Sequence, residues 1–309
     1  MTDEIISTNG LYKKYGQFVA LNNINVNIPR GAIGLLGPNG AGKSTFIKCL
    51  LQQTSISMGS ASLLGKEVGK FGKEIRKRVG YNPEQDCHIP GMIGCEYVTY
   101  CALLSGLPFE VARQRTHEML DYVGMGQERY RKLETYSTGM RQKIKLAQCL
   151  VHDPELIFLD EPTNGLDPKG QKLILDLIKS LWIDRGISFV LSSHLMHDVE
   201  YVCEHIIMIG KGTVLVNEPI KSLIQRQDQY AEISLLSEVS KAISIFKDKG
   251  WSPQIQPNGR IRVLHKSSSL NPIFDVMRDY KLSPVEIIPN PNILEDIFVR
   301  SMHQTLLSP

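Results

Sequence analysis

Hydrophobic and polar positions alternate along the first thirty residues. After LYKKYG, apolar residues recur with a mostly two-residue period at Val19, Leu21, Ile24, Val26 and Ile28. A Pro-Arg-Gly turn follows them. This spacing is typical of strands with one buried face, and it predicts an antiparallel hairpin. The apolar run over residues 32–36 then predicts a fully buried strand, and helical spacing follows it at Phe46, Ile47, Leu50 and Leu51.

Strand-like and helix-like segments alternate through the middle of the chain. Strands are predicted over residues 79–82, 156–160, 187–193 and 205–210, and helices over residues 171–182 and 196–203. Residues 93–151 show helical spacing throughout, with one helix starting at Pro108. Strands that alternate with helices predict a parallel α/β sheet, here carrying a helical insertion.

The pattern restarts as a second unit beyond about residue 225. Its order is strand, helix, strand, strand, helix, strand, with Asn258-Gly259 forming a tight hairpin turn. This order predicts an α+β domain of the ferredoxin-like type. A closing helix is predicted from Asn292, with Glu295 as its capping-box partner. We therefore predict two domains, residues 1–226 (helical subdomain about 88–150) and 227–309.

Composition narrows the function classes. The 309 residues include 35 Lys and Arg against 32 Asp and Glu, so the net charge is +3 and no nucleic-acid partner is expected. Six scattered cysteines without CxxC spacing, and an N-terminus without a signal segment, predict the reducing cytosol. The most apolar stretch, residues 92–107, contains Glu96 and is shorter than the ~20 apolar residues that span a bilayer. Any membrane role is therefore expected through a partner.

A phosphate-binding motif lies between a predicted strand and a predicted helix. Residues 37–44, GPNGAGKS, satisfy GxxxxGK[ST] in full. Glycines let backbone N–H groups turn toward phosphate oxygens, and the helix adds the positive end of its dipole. We predict that Lys43 reaches the β- and γ-phosphates and that Ser44 offers its hydroxyl to Mg²⁺. The predicted nucleotide contacts in this loop are Asn39, Gly40, Ala41, Gly42, Lys43, Ser44 and Thr45.

Two adjacent carboxylates end the predicted strand LIFLD. Open α/β sheets bind ligands at the carboxyl ends of their strands, where Asp160 and Glu161 are placed. Asp160 is predicted to hold the Mg²⁺ shell. Glu161 is predicted to orient or deprotonate the water that attacks the γ-phosphate.

Together these motifs resemble the ATP-binding cassette (ABC) family of ATPases over about residues 5–224. The resemblance rests on motifs in the family's order: Tyr15, GPNGAGKST, YNPEQ, YSTGMRQ, LIFLDEPTNGLDP and SSH. It implies a P-loop ABC fold with a mixed or parallel sheet core, an antiparallel β subdomain and a helical subdomain. YSTGMRQKIKLAQ, DEPTNGLDP and the LEDIF-like closing helix are most similar to ATPase subunits of exporters whose membrane half is a separate polypeptide.

The resemblance also implies roles for residues outside the phosphate loop. Tyr15 resembles the aromatic that stacks on adenine, with Tyr12 and Phe18 as nearby alternatives. His194 resembles the switch histidine that hydrogen-bonds the γ-phosphate, so the catalytic residues are expected to be Lys43, Glu161 and His194. Glu84 stands where the family's Q-loop glutamine is expected and Gln85 follows it, so either is a candidate to sense Mg²⁺ and the attacking water.

Two further motifs imply a dimer. Ser137, Thr138 and Gly139 resemble the signature motif, which in the family binds the γ-phosphate held by the other subunit. Asp167 resembles the D-loop aspartate that communicates across the dimer. Two copies are therefore expected to sandwich two ATP molecules.

The function implied is ATP hydrolysis that powers transport, with export favoured, through a permease that meets the region of residues 88–100. The chain is then expected on the cytoplasmic face of the cell membrane. One alternative is a soluble ABC ATPase that clamps nucleic acid or the ribosome. It is disfavoured by a single cassette and by a gap of about ninety residues without heptads between P-loop and signature. A non-hydrolysing ATP sensor is disfavoured by the intact Lys43, Asp160, Glu161 and His194.

Overall fold

The structure, a computed structural model, describes residues 4–226, 229–236, 238–265 and 270–289, together with residues 294, 297 and 298. These residues fall into two units that separate between Ile220 and Lys221. The domain limits at 226 and 227 stay a prediction. The elements up to the separation are β1 (Glu4–Tyr15), β2 (Phe18–Pro29), β3 (Ala32–Leu36), α1 (Lys43–Leu50), β4 (Met58–Leu63), β5 (Lys66–Glu67), α2 (Val68–Lys77), β6 (Val79–Asn82), α3 (Gly94–Leu104), α4 (Phe109–Tyr122), α5 (Thr138–Leu150), β7 (Leu156–Asp160), α6 (Pro168–Arg185), β8 (Ser188–Ser193), α7 (Met196–Val202), β9 (His205–Gly210) and β10 (Thr213–Pro219). Helix α8 (Ile220–Arg226) crosses it.

The predicted N-terminal hairpin is confirmed. Strands β1 and β2 pair antiparallel from Glu4 opposite Pro29 to Tyr15 opposite Phe18. They belong to a four-stranded sheet of order β2-β1-β4-β5. From Ala20 onward the apolar side chains of β2 are buried, as the two-residue period requires, whereas Phe18 at its start is exposed and Val19 is half-buried.

A second, six-stranded sheet forms the centre of the first unit. Its order is β10-β9-β3-β8-β7-β6, and all neighbours are parallel except β10, which runs antiparallel to β9. Every residue of β3, β7 and β8 is buried, because a parallel sheet covered on both faces selects continuous apolar strands. The segments after these three strands therefore meet at one edge of the sheet.

The helical insertion is also confirmed. Helices α3, α4 and α5 lie between β6 and β7, and α4 begins directly after Pro108, which is favourable at a helix start. Five elements have no counterpart in the sequence expectations, namely β4, β5, α2, β10 and α8. Helix α2 forms within the polar stretch of residues 65–78, where only Val68, Gly72 and Ile75 are buried. Strand β10 is half-buried along its length, so it lacks a clear alternation.

The second unit has the predicted strand and helix order. Its elements are β11 (Gln229–Leu235), α9 (Val239–Asp248), β12 (Ser252–Ile255), β13 (Ile261–His265), α10 (Asn271–Asp279) and β14 (Pro284–Pro289). The antiparallel sheet order β12-β13-β11-β14 is that of a ferredoxin-like fold. Its core packs Ile233, Phe246, Val263 and Ile273 together. Of the predicted closing helix, residues 294, 297 and 298 are helical, whereas Asn292 and Glu295 lie outside the described residues.

Within the described ranges, no helix is both long and apolar enough to cross a membrane.

Candidate functional site

Loops from the central sheet converge on one cleft of about 370 Å³. The loop after β3 forms its floor, and residues that follow β6, β7 and β8 complete it. The lining residues are Phe18, Ala20, Pro38, Asn39, Gly40, Ala41, Gly42, Lys43, Ser44, Thr45, Glu84, Glu161, Asn164 and His194. The cleft lies at the carboxyl edge of the sheet, as expected for an open α/β fold. All seven predicted contacts of the phosphate loop line it.

Glycine is required in this loop by the backbone itself. Gly40 and Gly42 have φ angles of +79° and +110°, a region that side chains with a Cβ rarely adopt. A Cβ on Gly42 would also lie 2.7 Å from the carbonyl oxygen of Ala20. Gly42 precedes α1 and supplies no side-chain cap, so the first N–H groups of that helix remain available to an anion.

Lys43 is a buried cation held by a few defined partners. It is 6% exposed, and its Nζ donates to the carbonyl oxygen of Gly37 at 2.7 Å. Nζ also lies 3.8 Å from Glu161 Oε1. Burial lowers the pKa of Lys43, while the negative charges of Glu161, Asp160 and Glu84 act against that shift. A cation in this setting gains from the approach of a phosphate.

Glu161 is held in an unusual backbone conformation. Its φ is +51°, which is rare for a residue with a long side chain and is found preferentially at functional sites. Its N–H donates to the carbonyl oxygen of Ser192 on β8 at 3.0 Å, and its Oε2 lies 2.8 Å from His194 Nδ1. Burial raises the pKa of Glu161, and His194 and Lys43 partly oppose that rise. A carboxylate with a raised pKa beside a histidine can serve as a general base.

Asp160, one residue earlier, is buried differently. It ends β7, is 3% exposed, and its Oδ1 has no hydrogen-bond partner within the described part of the chain. Ser192 Oγ, opposite it on β8, is also buried without a partner there. A buried oxygen atom without a hydrogen-bond partner is energetically costly. Such oxygen atoms are suited to bind a metal ion that prefers oxygen ligands.

The structure distinguishes between the two Q-loop candidates. Glu84 lines the cleft, whereas Gln85 is not among the lining residues. Asn164 lines the cleft as well, and the sequence analysis did not single it out. It lies three residues after Glu161 in a turn in which its N–H donates to the Glu161 carbonyl oxygen, so its place follows from that turn.

Among the aromatic candidates, Phe18 is the one beside the cleft. Its side chain lines the cleft and is largely exposed. Tyr15 is not a lining residue; its hydroxyl lies 3.5 Å from Thr54 Oγ1, and Lys13 Nζ lies 4.7 Å from its ring centre. Tyr12 lies within β1 opposite Met58.

The signature and D-loop residues lie outside the lining of the cleft. Ser137 caps α5 by accepting from Met140 N at 3.4 Å, and Asp167 caps α6 by accepting from Gly170 N at 3.1 Å. The two segments are neighbours, since a Cβ on Gly165 would lie 3.5 Å from Thr138 Cγ2. Ser137, Thr138 and Asp167 are exposed and Gly139 is half-buried. Together they form an exposed surface at two helix N-termini.

Comparisons of the sequence and of the structure with known proteins lead to the same family. Residues 21–164 match the family described as ABC transporter. The bacitracin transport ATP-binding protein BcrA of Bacillus licheniformis is 33% identical, with 96% of each chain covered. The daunorubicin/doxorubicin resistance ATP-binding protein DrrA of Streptomyces peucetius is 35% identical over 68% of this chain and 64% of DrrA.

Solved structures agree with this result. The ATP-binding cassette MJ0796, in a dimeric post-hydrolysis state bound to ADP and Pi, superposes with a TM-score of 0.64 at 25% identity. The superposition covers 70% of this chain and 98% of that cassette. CbiO1 of Clostridium perfringens, part of the transporter complex cbiONQ, gives a TM-score of 0.66 at 26% identity, with 72% and 92% covered.

Proposed function

The chain belongs to the ABC transporter family as an ATP-binding subunit that hydrolyses ATP, and from this premise we propose that two copies close over ATP to power export through a separate permease. The observation that carries the proposal is the grouping of Lys43, Glu161 and His194 around the glycine loop of one cleft. This grouping supplies a cation for the phosphates, a base for water and a histidine beside that base.

The proposed hydrolytic step uses these three side chains. The amides of residues 39–45 and the ammonium group of Lys43 hold the β- and γ-phosphates of ATP. Glu161 orients the attacking water and accepts its proton. His194, with a proton on each ring nitrogen in this step, donates from Nδ1 to the Glu161 carboxylate and from Nε2 to the γ-phosphate. Each of the two ring nitrogens of His194 then makes one hydrogen bond in the proposed step.

A Mg²⁺ ion fits the oxygen-rich side of the cleft. Asp160, Ser44 and Glu84 would hold it directly or through water, and the unpartnered Asp160 Oδ1 supports this assignment. Gln85 becomes the weaker candidate, because it does not line the cleft. When bound, the ion would neutralise charge that develops on the phosphate oxygens.

Phe18 is the better candidate to contact the adenine ring. It lines the cleft with an exposed ring, which is the arrangement that stacking requires, whereas Tyr15 is engaged with Thr54 and Lys13. Tyr15 remains the residue indicated by motif position. Separate Ala variants at the two positions, measured for ATP affinity, distinguish between them.

The exposed signature surface supports the dimer. Ser137, Thr138, Gly139 and Asp167 do not line the chain's own cleft, so they are free to contact the ATP of a second copy. MJ0796, one of the structural neighbours, is itself described as dimeric. We propose a homodimer with two composite ATP sites.

The direction of transport is proposed from the relatives. BcrA is named for bacitracin transport and DrrA for daunorubicin/doxorubicin resistance, and a role in drug resistance favours export. The permease would contact the region of residues 88–100, placing the chain on the cytoplasmic face of the membrane.

The test is affinity capture of a tagged Glu161→Gln variant from solubilised native membranes in Mg-ATP, with the untagged chain as control. The variant should bind ATP but turn it over slowly, which keeps the assembled complex intact. A multi-span protein recovered in stoichiometric amount is the expected result. Recovery of only ribosomal, nucleic-acid-bound or other partners without membrane spans would contradict the transporter proposal.

A further inference from the structure

Lys145 is a charged residue in the interior of the first unit that no step above uses. It lies on α5, is 1% exposed, and is among the largest fully buried side chains. Burying a lysine is unfavourable unless its partners compensate for the lost hydration. Burial also lowers its pKa, against the opposing effect of Asp86 and other negative groups. Its partners therefore indicate what it does.

Those partners all lie in the segment that follows β6. Lys145 Nζ donates to the carbonyl oxygen of Glu84 at 3.0 Å and lies 3.8 Å from Asp86 Oδ1. Arg141, one turn earlier on the same face of α5, places Nη1 3.2 Å from Asp86 Oδ2. Helix α5 thus holds residues 84–86 at two points.

The segment needs such anchors. Residues 83–89 form no helix or strand, so regular backbone hydrogen bonds do not fix them. Yet the side chain of Glu84 lines the ATP cleft, where a small displacement changes its distance from the reacting phosphate. Helix α5 starts directly after its N-cap residue Ser137, which belongs to the signature motif. One rigid helix therefore joins the signature surface to the segment that carries Glu84.

We infer that Lys145 is a positioning residue for ATP hydrolysis, which fixes the Glu84 segment to the signature helix through the Glu84 carbonyl and the Asp86 carboxylate. Lys145 itself does not line the cleft. Lys145 acts by keeping Glu84 at a fixed position relative to α5. A movement of the signature surface therefore also moves Glu84 in the chain's own ATP site. This inference rests on the proposed role of Glu84 at that site.

The first test compares Lys145→Met with wild type. Methionine keeps a similar length and volume but removes the charge and the donor. We expect faster amide hydrogen exchange in residues 84–88 and a loss of kcat on the order of 10- to 100-fold. Nucleotide affinity without Mg²⁺ should stay within about threefold, since the Lys43 loop is intact. Lys172→Met, at an exposed position on α6, is the control and should change neither measurement. Unchanged exchange in residues 84–88 would overturn the inference.

A double-mutant cycle with Glu84→Gln separates positioning from general damage. If Lys145 acts through Glu84, the double variant should lose little more turnover than the more severe single variant. Two effects that multiply would overturn the positioning role alone. If Glu84→Gln by itself left turnover unchanged, the proposed role of Glu84 would fail as well.

Asp86→Asn provides a second test if the Lys145 variant does not fold. The Asp86 side chain is 39% exposed, and the substitution keeps its size while removing the charge that faces Lys145. We expect faster exchange over residues 84–88 here too. Exchange equal to wild type in Asp86→Asn would then overturn the inference.

Discussion

Glu161 combines a strained backbone with a carboxylate whose pKa is raised by burial. A base must be ionised to accept a proton, so activity is lost as pH falls through its pKa. Because that pKa is raised, we predict that kcat declines on acidification at a pH above the ordinary glutamate value of 4.5. His194 opposes the rise, so His194→Ala should move the acid limb to still higher pH, in addition to lowering kcat.

The measurement is a pH profile of kcat for both proteins, with binding of ATP confirmed at each pH. An acid limb at the ordinary glutamate value, or one at the same pH in both proteins, would contradict this account of Glu161.

Gly40 and Gly42 form a matched pair within the phosphate loop. Both have positive φ angles, but a Cβ on Gly40 meets nothing within 4 Å, whereas one on Gly42 would collide with the Ala20 carbonyl. Gly40→Ala should therefore cost about 1–2 kcal/mol of backbone strain. Gly42→Ala should destabilise more, because the chain must also move. Urea unfolding measures the difference, and equal losses would show that the contact with Ala20 is unimportant.

At the scale of elements, Thr163 and Asp198 join the turn after β7 to helix α7. Thr163 Oγ1 donates to Asp198 Oδ2 at 2.6 Å, and both residues are fully buried. Thr163→Val removes the donor at nearly constant volume and leaves the carboxylate under-satisfied. We predict a loss of about 1–3 kcal/mol in the free energy of unfolding.

Thr135→Val is the control, because its hydroxyl makes only an exposed hydrogen bond to Lys132. Chemical denaturation of both variants gives the comparison. Equal losses of unfolding free energy in the two variants would mean that the buried hydrogen bond stabilises the protein no more than the exposed one.

The elements also show what sequence patterns can and cannot predict. Strands β7 and β9 are predicted to the residue, because a parallel strand buried on both faces is a short apolar run between polar breaks. Helix α2 is not assigned, although Val68, Phe71 and Ile75 recur at helical spacing, because the stretch is otherwise polar and contains Gly69 and Gly72.

The residues of the candidate site also divide into those that the sequence predicts and those that it does not. The glycine loop, Asp160, Glu161 and His194 are local motifs that retain their meaning without coordinates. The roles of Phe18 and Lys145 depend on contacts between distant segments, whereas the place of Asn164 follows from the local turn after Glu161. Lys145 is the clearest case, because seven of the last nine residues of α5 are buried and burial does not follow one stripe. A lysine among apolar neighbours is the signal that could have marked it.

At the scale of the whole molecule, the residues of the proposed ATP site divide into two surfaces of one chain. Lys43, Glu161 and His194 line the cleft, while Ser137 and Asp167 lie on the exposed caps of α5 and α6. If each ATP site is built from the cleft of one copy and the signature of another, a single chain cannot complete it.

The most direct test is ATP turnover by purified mixed dimers in which each copy carries its own affinity tag. One dimer carries Lys43→Met in one copy and Ser137→Arg in the other. A second dimer carries both substitutions in the same copy and none in its partner. We predict that the first retains turnover, since both lesions fall in one composite site, and that the second loses it, since each site receives one lesion. The opposite order would contradict the sandwich dimer.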